Sequence, residues 1–208
     1  MSCSDKSAKD ISVTCGEWLP ESKNATYQPA DHKIQRLEAK SIMTHPEFER
    51  TTNFNDFAVI VLEDSFDTSV PHIGPICLPT DEEDDDISFE GCFATGWGKD
   101  KYGRKGDYAG VMKHVQLDMV ETKEKCQELL RKTDLTKFFN LDPSFNCAGG
   151  KKGVDLCTGD GGGPLVCPKK SNSQQFVQVS QHKTKCFKSV LDLAYHCPNF
   201  TCPHFQKF

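Results

Sequence analysis

The most informative segment of the chain reads Cys157-Thr158-Gly159-Asp160-Gly161-Gly162-Gly163-Pro164-Leu165-Val166-Cys167. It is rich in glycine, the residue that most readily takes the backbone conformations of tight turns. One interpretation is a glycine-rich surface turn with no wider meaning. Three other motifs precede the segment, however, and their identity and order favour a second interpretation, in which all four belong to one fold.

The three upstream motifs are two strand patterns and a cysteine between prolines. Asn55-Asp56-Phe57-Ala58-Val59-Ile60-Val61-Leu62 is apolar and rich in β-branched residues, as buried strands are. Pro75-Ile76-Cys77-Leu78-Pro79 follows, and Gly91-Cys92-Phe93-Ala94-Thr95-Gly96-Trp97-Gly98 comes next. With the glycine-rich segment, they resemble in order N-D-I-A-L-L, P-I-C-L-P, C-x-x-T-G-W-G and G-D-S-G-G-P of the chymotrypsin-like (trypsin-type) serine proteases.

The resemblance implies an all-β, two-barrel antiparallel fold. It extends over about residues 11–179, so we expect a chymotrypsin-like fold that is incomplete at both ends, with a partial first barrel at 11–91 and a partial second barrel at 92–179. Residues 1–10 are then a start outside the family, and residues 180–208 a non-homologous tail with cysteine and histidine. The Glu-, Lys-, Gln- and Leu-rich composition of 121–135 predicts one short helix there.

One segment gives conflicting signals. Between Ala30 and Met43, the apolar residues Ile34, Leu37 and Ile42 have a spacing closer to that of a helix than to strand alternation. The resemblance requires a strand, and we follow the resemblance. Further strands are expected at Ile11–Thr14, Val111–Val120 and Gln175–Val179.

Two further blocks indicate a subgroup of the family. Leu130-Arg131-Lys132-Thr133-Asp134-Leu135 and Ser144-Phe145-Asn146-Cys147-Ala148-Gly149-Gly150 resemble the clip-domain serine protease homologues of arthropods, which include prophenoloxidase-activating factors. The resemblance implies a cofactor or scaffold in an extracellular proteolytic cascade such as prophenoloxidase activation. Its implied partners are a clip-domain protease or prophenoloxidase.

Serine protease chemistry needs a serine nucleophile, a histidine base and a carboxylate that orients the histidine. The resemblance places the carboxylate at Asp56 and the nucleophile position at Gly161, which has no hydroxyl and cannot form an acyl-enzyme. The histidine belongs in an A-A-H-C context, and the 208 residues contain none. His45 precedes Asp56 but lies in a His-Pro-Glu-Phe turn motif. We therefore expect a pseudoprotease, not an enzyme, with vestigial Asp56 and Gly161.

The resemblance implies three more site features. An oxyanion hole would use the backbone N–H groups of Gly159 and Gly161, which survive the loss of the serine. Asp155 takes the position at which trypsin-like members bind a substrate Arg or Lys, and a plain surface aspartate is the alternative. Asp160 normally receives the charged N-terminus that activation releases. Without that partner, we expect its carboxyl to be solvated or protonated.

The composition favours a secreted protein. The chain has 11 cysteines, a high number that suggests disulfides and an oxidising compartment. Asn24 and Asn199 begin candidate glycosylation tripeptides. Residues 1–10 lack the apolar core of a signal peptide, so either the protein is cytosolic or Met1 is not the natural start, and the cysteines favour the second alternative. The net charge of −5 and the absence of a long apolar run argue against nucleic acid and membrane as partners.

The resemblance also implies disulfides. Cys92–Cys167 and Cys126–Cys147 match two family bridges of the second barrel. The family partner of Cys77 lies upstream of the protease domain, so we expect Cys77 to be unpaired within this chain. The family partner of Cys157 is absent, which leaves Cys157 unpaired or bound to Cys186.

Two other functions stay open at this point. The first is an active trypsin-like endopeptidase, supported by Asp56 and Asp155. The second is a metal-binding module in the tail, although its residues match no common zinc-finger spacing: Cys186, His196, Cys197, Cys202 and His204. The acidic run Asp81–Asp86 offers oxygen ligands for calcium, but six successive acids are more typical of a solvated loop. We expect no metal and no cofactor.

Overall fold

The computed structural model describes residues 7–17, 19, 33–80, 84–101, 106–133, 135–150, 154–183 and 190–193. The chain divides into two compact units, Met1–Pro75 and Ile76–Phe208. Each has its own antiparallel sheet, so the all-β fold expected from the sequence is confirmed. The second unit begins before residue 92, because residues 76–91 pack with it. The Gln178 N–H, for example, donates to the Cys77 carbonyl over 2.9 Å.

The first unit is built on three strands, which are β1 (Ser12–Cys15), β2 (Gln35–Thr44) and β3 (Ala58–Leu62). β2 lies between the other two and pairs with both in antiparallel fashion. Its register against β3 shifts between Ala39 and Ser41. Such an irregularity interrupts the alternation of inward and outward side chains. This explains why the apolar residues of β2 have a helix-like spacing although the segment is a strand.

The second unit contains six strands among the described residues. They are β4 (Phe93–Gly96), β5 (Lys113–Gln116), β6 (Phe145–Cys147), β7 (Pro164–Pro168), β8 (Phe176–Lys183) and β9 (Val190–Leu193). They form one antiparallel sheet in the order β5-β4-β7-β8-β9-β6. A bridge between Met119 and Ala148 joins the chain just after β5 to the chain just after β6. The two ends of the sheet therefore meet, and the sheet closes into a barrel.

The end of the chain departs from the sequence-based expectation. The family pattern stops near Val179, and we expected the second barrel to lack its closing strands. Instead, β8 continues to Lys183, and β9 pairs with β8 on one side and with β6 on the other. Strand pairing uses backbone N–H and C=O groups, which every residue except proline supplies. A segment without the family's motifs can therefore complete the sheet.

The core of the second unit lies inside this barrel. Cys92, Ala94, Leu165, Cys167 and Val177 are all 0% exposed. The bridge Cys92–Cys167 is part of this core and joins residues 75 positions apart. β4 and β7, which also pair through their backbones, are therefore cross-linked at the centre of the barrel.

The helix expected around 121–135 is α1, Lys123–Arg131. It begins at Thr122, whose hydroxyl accepts the Lys125 N–H over 3.2 Å and so satisfies one of the free donors of the first turn. Its buried residues Cys126 and Leu130 pack against β6, where Cys126 forms a disulfide with Cys147. No helix among the described residues is long and apolar enough to cross a membrane.

Two cysteines correct the expected pairing. Cys77 is disulfide-bonded, so the expectation that it is unpaired within the chain is wrong. Cys157 is disulfide-bonded too, which excludes the unpaired alternative, while Cys186 lies outside the described residues. Pairing depends on which sulfur atoms come within bonding distance in the fold, and sequence position does not supply that distance. Cys15 is the one free thiol among the described cysteines, and burial raises its pKa.

Candidate functional site

Residues 157–163 form two consecutive turns that lead into β7. The Asp160 N–H donates to the Cys157 carbonyl, and the Gly163 N–H donates to the Asp160 carbonyl, both over 3.0 Å. Gly159 has a φ of +105°. Residues with a Cβ rarely adopt that conformation, which explains why glycine stands there.

The Asp160 carboxylate is held by two backbone N–H groups. Its Oδ1 accepts the Gly98 N–H over 2.7 Å, and its Oδ2 accepts the Cys157 N–H over 2.9 Å. A Cβ on Gly96 or Gly98 would collide with this carboxylate, so glycines at the end of β4 make room for it. Asp160 is half-buried, so its side chain is partly exposed to solvent, and the expectation that it is solvated or protonated stays a prediction. The sequence pattern does not reveal the two amide donors.

Gly161 stands at the exposed second turn of this loop and offers backbone groups without a side chain. The other predicted oxyanion donor, Gly159, lies against the ring of Tyr108. A Cβ at Gly159 would come within 2.7 Å of the Tyr108 Cε1. The sequence analysis did not predict a role for Tyr108. The only sequence signal for such a role is that Tyr108 is an aromatic residue in the connection between β4 and β5. The Lys99 Nζ lies 5.3 Å from the centre of the same ring.

Asp155 and Asp160 line one small pocket of about 180 Å³. The other charged or titratable residues around this pocket are Lys99, Asp100, Lys113 and His114. Asp155 itself is exposed, and its Oδ1 accepts the N–H of its neighbour Leu156 over 2.8 Å. Both positively and negatively charged side chains surround the pocket. The pocket therefore differs from a site in which one isolated carboxylate holds a substrate cation.

Asp56 belongs to the first unit, where it lies two residues before the start of β3 and is half-buried. The turn before it is fixed by Asn55, which has a φ of +52° and whose Nδ2 donates to the Glu47 carbonyl over 3.1 Å. His45 lies in the same region, and its Nδ1 accepts the Glu47 N–H over 3.1 Å. That hydrogen bond is typical of the turn role that the sequence predicted for His45.

The acidic run takes part in a contact with the hairpin between β7 and β8. Asp86 accepts the Ser171 N–H over 2.8 Å and the Ser171 hydroxyl over 2.5 Å. These hydrogen bonds lower the pKa of Asp86 below its ordinary value. Asp81–Glu83 lie outside the described residues. In the described part of the chain, no three His, Cys, Asp or Glu side chains are placed to hold a metal ion.

Some predicted residues cannot be compared with the structure. The two glycosylation candidates and the cysteines and histidines of the tail lie outside the described residues: Asn24, Asn199, Cys186, His196, Cys197, Cys202 and His204. Glycosylation and the metal-binding tail therefore stay predictions.

The sequence of this chain is similar to those of known proteins. The family described as "Trypsin" matches residues 2–189, a longer range than the 11–179 over which the motifs are recognisable. Phenoloxidase-activating factor 2 of Galleria mellonella is 38% identical over 171 residues, which make up 82% of this chain and 54% of that protein. The inactive CLIP domain-containing serine proteases A8 and A28 of Anopheles gambiae are 33% and 34% identical, over 90% and 79% of this chain and 49% and 40% of their own lengths.

The chain spans about half the length of the curated relatives it matches. The matched region holds the first sheet, the strands β4 to β8 of the second sheet and the glycine-rich turns before β7. Several of the relatives carry the word "inactive" in their names, and others do not. The chain therefore belongs to the trypsin family of chymotrypsin-like serine proteases, and it is a homologue of the clip-domain members of that family.

Proposed function

We propose that this protein is a non-catalytic serine protease homologue that acts by binding other proteins. The observation that carries the proposal is Gly161 at the nucleophile position of the loop. A glycine provides no hydroxyl to attack a carbonyl and hence no acyl-enzyme. In a protease of this mechanism, removal of the serine alone lowers turnover by about 10⁶.

The rest of the loop supports a scaffold with binding surfaces. Asp160 fixes the loop to the end of β4 through two backbone N–H groups, and neither contact involves the side chain at position 161. The predicted oxyanion donors at Gly159 and Gly161 are backbone groups, which do not depend on a serine. The protein therefore keeps an ordered site while it lacks the group that performs the chemistry.

We propose further that the binding serves an extracellular proteolytic cascade such as prophenoloxidase activation in innate immunity. One relative is named a phenoloxidase-activating factor, and others are named inactive CLIP-domain serine proteases. The disulfides of the second unit support an oxidising, extracellular location. The partner is then a clip-domain protease or prophenoloxidase.

Two measurements on the purified chain test the loss of catalysis. The protein should not cleave Arg or Lys esters, and it should not react with a fluorophosphonate that labels active trypsin added to a parallel sample. Gly161→Ser should also be inactive, because the sequence contains no histidine in an A-A-H-C context. Stoichiometric labelling of one serine in the unaltered protein would contradict the proposal and favour an active trypsin-like endopeptidase.

The cascade role is tested separately, with purified prophenoloxidase and an activating clip-domain protease. Addition of the chain should raise the rate at which phenoloxidase activity appears, while heat-denatured chain should have no effect. Cleavage of a small ester by the protease alone should not change, because the chain acts on assembly and not on the active site. If phenoloxidase activity appears at the same rate with and without the chain, the cascade role is wrong, although the loss of catalysis stands.

A further inference from the structure

Asp160 and Gly161 form a chemically reactive pair in the glycine-rich loop. The backbone nitrogen of a glycine that follows an aspartate can attack the aspartate Cγ, because glycine has no Cβ to hinder the approach. Asp160 is the one aspartate in the sequence that precedes a glycine, and no asparagine precedes one. The glycine that leaves the loop without a nucleophile therefore also creates this reactive pair.

The reaction of such a pair needs only the two residues and water. The Gly161 nitrogen forms a bond to the Asp160 Cγ, and the hydroxyl of the protonated carboxyl leaves as water with the proton of the Gly161 N–H. The product is a cyclic imide, a succinimide. Water then opens the imide at either carbonyl. One opening restores aspartate, and the other gives isoaspartate, in which the main chain passes through Cβ and Cγ.

The folded loop holds the Asp160 carboxyl by both of its oxygens. They accept the Gly98 N–H over 2.7 Å and the Cys157 N–H over 2.9 Å. Cyclisation expels one of these oxygens as water and turns the Cγ towards the Gly161 nitrogen, so it breaks this arrangement. The reaction therefore requires a local opening of the loop, in which the carboxyl leaves its donors.

The pair lies where water can reach it once the loop opens. Gly161 and Gly162 are exposed, and Asp160 is half-buried. Water is therefore at hand to open the imide. In the folded protein, the opening of the loop limits the reaction, and the access of water does not.

We propose that Asp160–Gly161 is a modification site at which isoaspartate forms when the loop opens, and that the Gly98 and Cys157 N–H groups protect the closed loop. Isoaspartate carries its carboxylate directly on Cα and lengthens the main chain by one carbon. It cannot reach both N–H groups while the turns on either side of residue 160 are kept. Each conversion therefore releases the loop from the end of β4. The inference goes beyond the proposed function and does not depend on it.

The test incubates the full chain in two states, folded and unfolded in guanidinium chloride with reduced disulfides. Isoaspartate at residue 160 is measured by enzymatic methylation and by mass spectrometry of the peptide that contains it. The unfolded chain should form isoaspartate faster at residue 160 than at any other aspartate. Gly161→Ser should slow this reaction, because the new Cβ hinders the attack. The folded protein should convert at least about tenfold more slowly than the unfolded chain, since it reacts only when the loop opens.

Gly98→Ala should remove the protection without altering the reacting pair. A Cβ on Gly98 would collide with the Asp160 carboxyl, so the folded variant should form isoaspartate several times faster than the unaltered folded protein. Gly110→Ala is the matched control and should leave the rate unchanged, because a Cβ on Gly110 meets nothing within 4 Å. Gly96→Ala, whose Cβ would also meet the carboxyl, replaces Gly98→Ala if the latter lacks the circular dichroism of the unaltered protein.

Three results would overturn the proposal. The first is an unfolded chain that forms no more isoaspartate at Asp160 than at Asp155, and the second is a folded chain that converts as fast as the unfolded one. The third is a folded Gly98→Ala or Gly96→Ala variant that converts no faster than Gly110→Ala. The first two results need no variant of the loop. The measurement uses no protease substrate and no cascade component, so it is independent of the tests of the proposed function.

Discussion

Asp160→Ala removes the carboxylate that joins the glycine-rich loop to the end of β4. Two hydrogen bonds are lost, from the Gly98 N–H at 2.7 Å and from the Cys157 N–H at 2.9 Å. A hydrogen bond to a charged acceptor contributes about 1.5–3 kcal/mol, so the pair contributes roughly 3–6 kcal/mol when both donors are left unpaired. Asp160 is half-buried, and water can reach part of the space that the side chain vacates. We therefore expect the lower value, a loss of about 3 kcal/mol in the free energy of unfolding of the second unit.

Urea unfolding followed by the fluorescence of Trp97, the residue next to Gly98, measures this loss. A Trp18→Phe background removes the other of the chain's 2 tryptophans, so that the signal comes from the second unit. With a denaturant slope of about 2 kcal/mol/M, the midpoint should fall by about 1.5 M. Asp160→Asn keeps one acceptor oxygen and should lose roughly half as much.

The control is Asp107→Ala, because Asp107 is an exposed aspartate of the same unit and takes no part in the contacts of Asp160. It should change stability by less than about 0.5 kcal/mol. An Asp160→Ala protein that unfolds at the same urea concentration as the control would refute the reasoning, since the two N–H groups would then not depend on the carboxylate.

Three further predictions concern the second unit. Replacing Cys126 and Cys147 together by alanine opens a loop of 21 residues, which by the chain-entropy relation costs about 3 kcal/mol, and calorimetry should show a lower Tm. Hydrogen bonds from Ser171 lower the pKa of Asp86, so this contact is complete above the ordinary aspartate pKa of about 3.9 and is lost as the pH falls through the lower folded value. The protection factor of the Ser171 amide, which is its intrinsic exchange rate at each pH divided by the rate measured by NMR, should fall only in that acidic range, and a fall near neutral pH would contradict the assignment. Thr136→Gly should raise stability by about 0.5–1 kcal/mol, because glycine adopts a φ of +67° without strain, and a loss of stability would mean that the threonine side chain makes a contact of its own.

The features that the sequence predicts well are those that depend on nearby residues. The β-branched run before Leu62 indicates β3, and the structure has that strand at Ala58–Leu62. The helix-forming composition of 121–135 indicates α1, and the Thr122 cap explains why the helix begins at Lys123. These preferences act within a few residues, so they can be read directly from the chain.

The features that the sequence does not predict join groups far apart in the chain. The donor from Gly98 lies 62 residues from Asp160, and nothing in the local pattern of either residue announces the contact. β9 lacks the family's motifs, yet it completes the sheet because pairing needs only an extended backbone beside two strands with free groups. The helix-like spacing in β2 misleads for a third reason, since one irregular residue between Ala39 and Ser41 breaks the alternation.

The position of β9 between β8 and β6 has a consequence for how the protein is made. On the ribosome, β6 is synthesised about forty residues before β9, which at 5–20 residues per second is roughly 2–8 s. Among the described strands, β9 is the one that forms a ladder with β6, so during that interval β6 contacts the segment after β5 only at its end, where the Val120 N–H donates to the Cys147 carbonyl. α1 and Cys126 lie close to β6 in sequence, and this local pair can form first. The sheet is completed only after β9 has been synthesised. A chain released from the ribosome before Leu193 lacks the strand that joins β8 to β6, so its barrel cannot close.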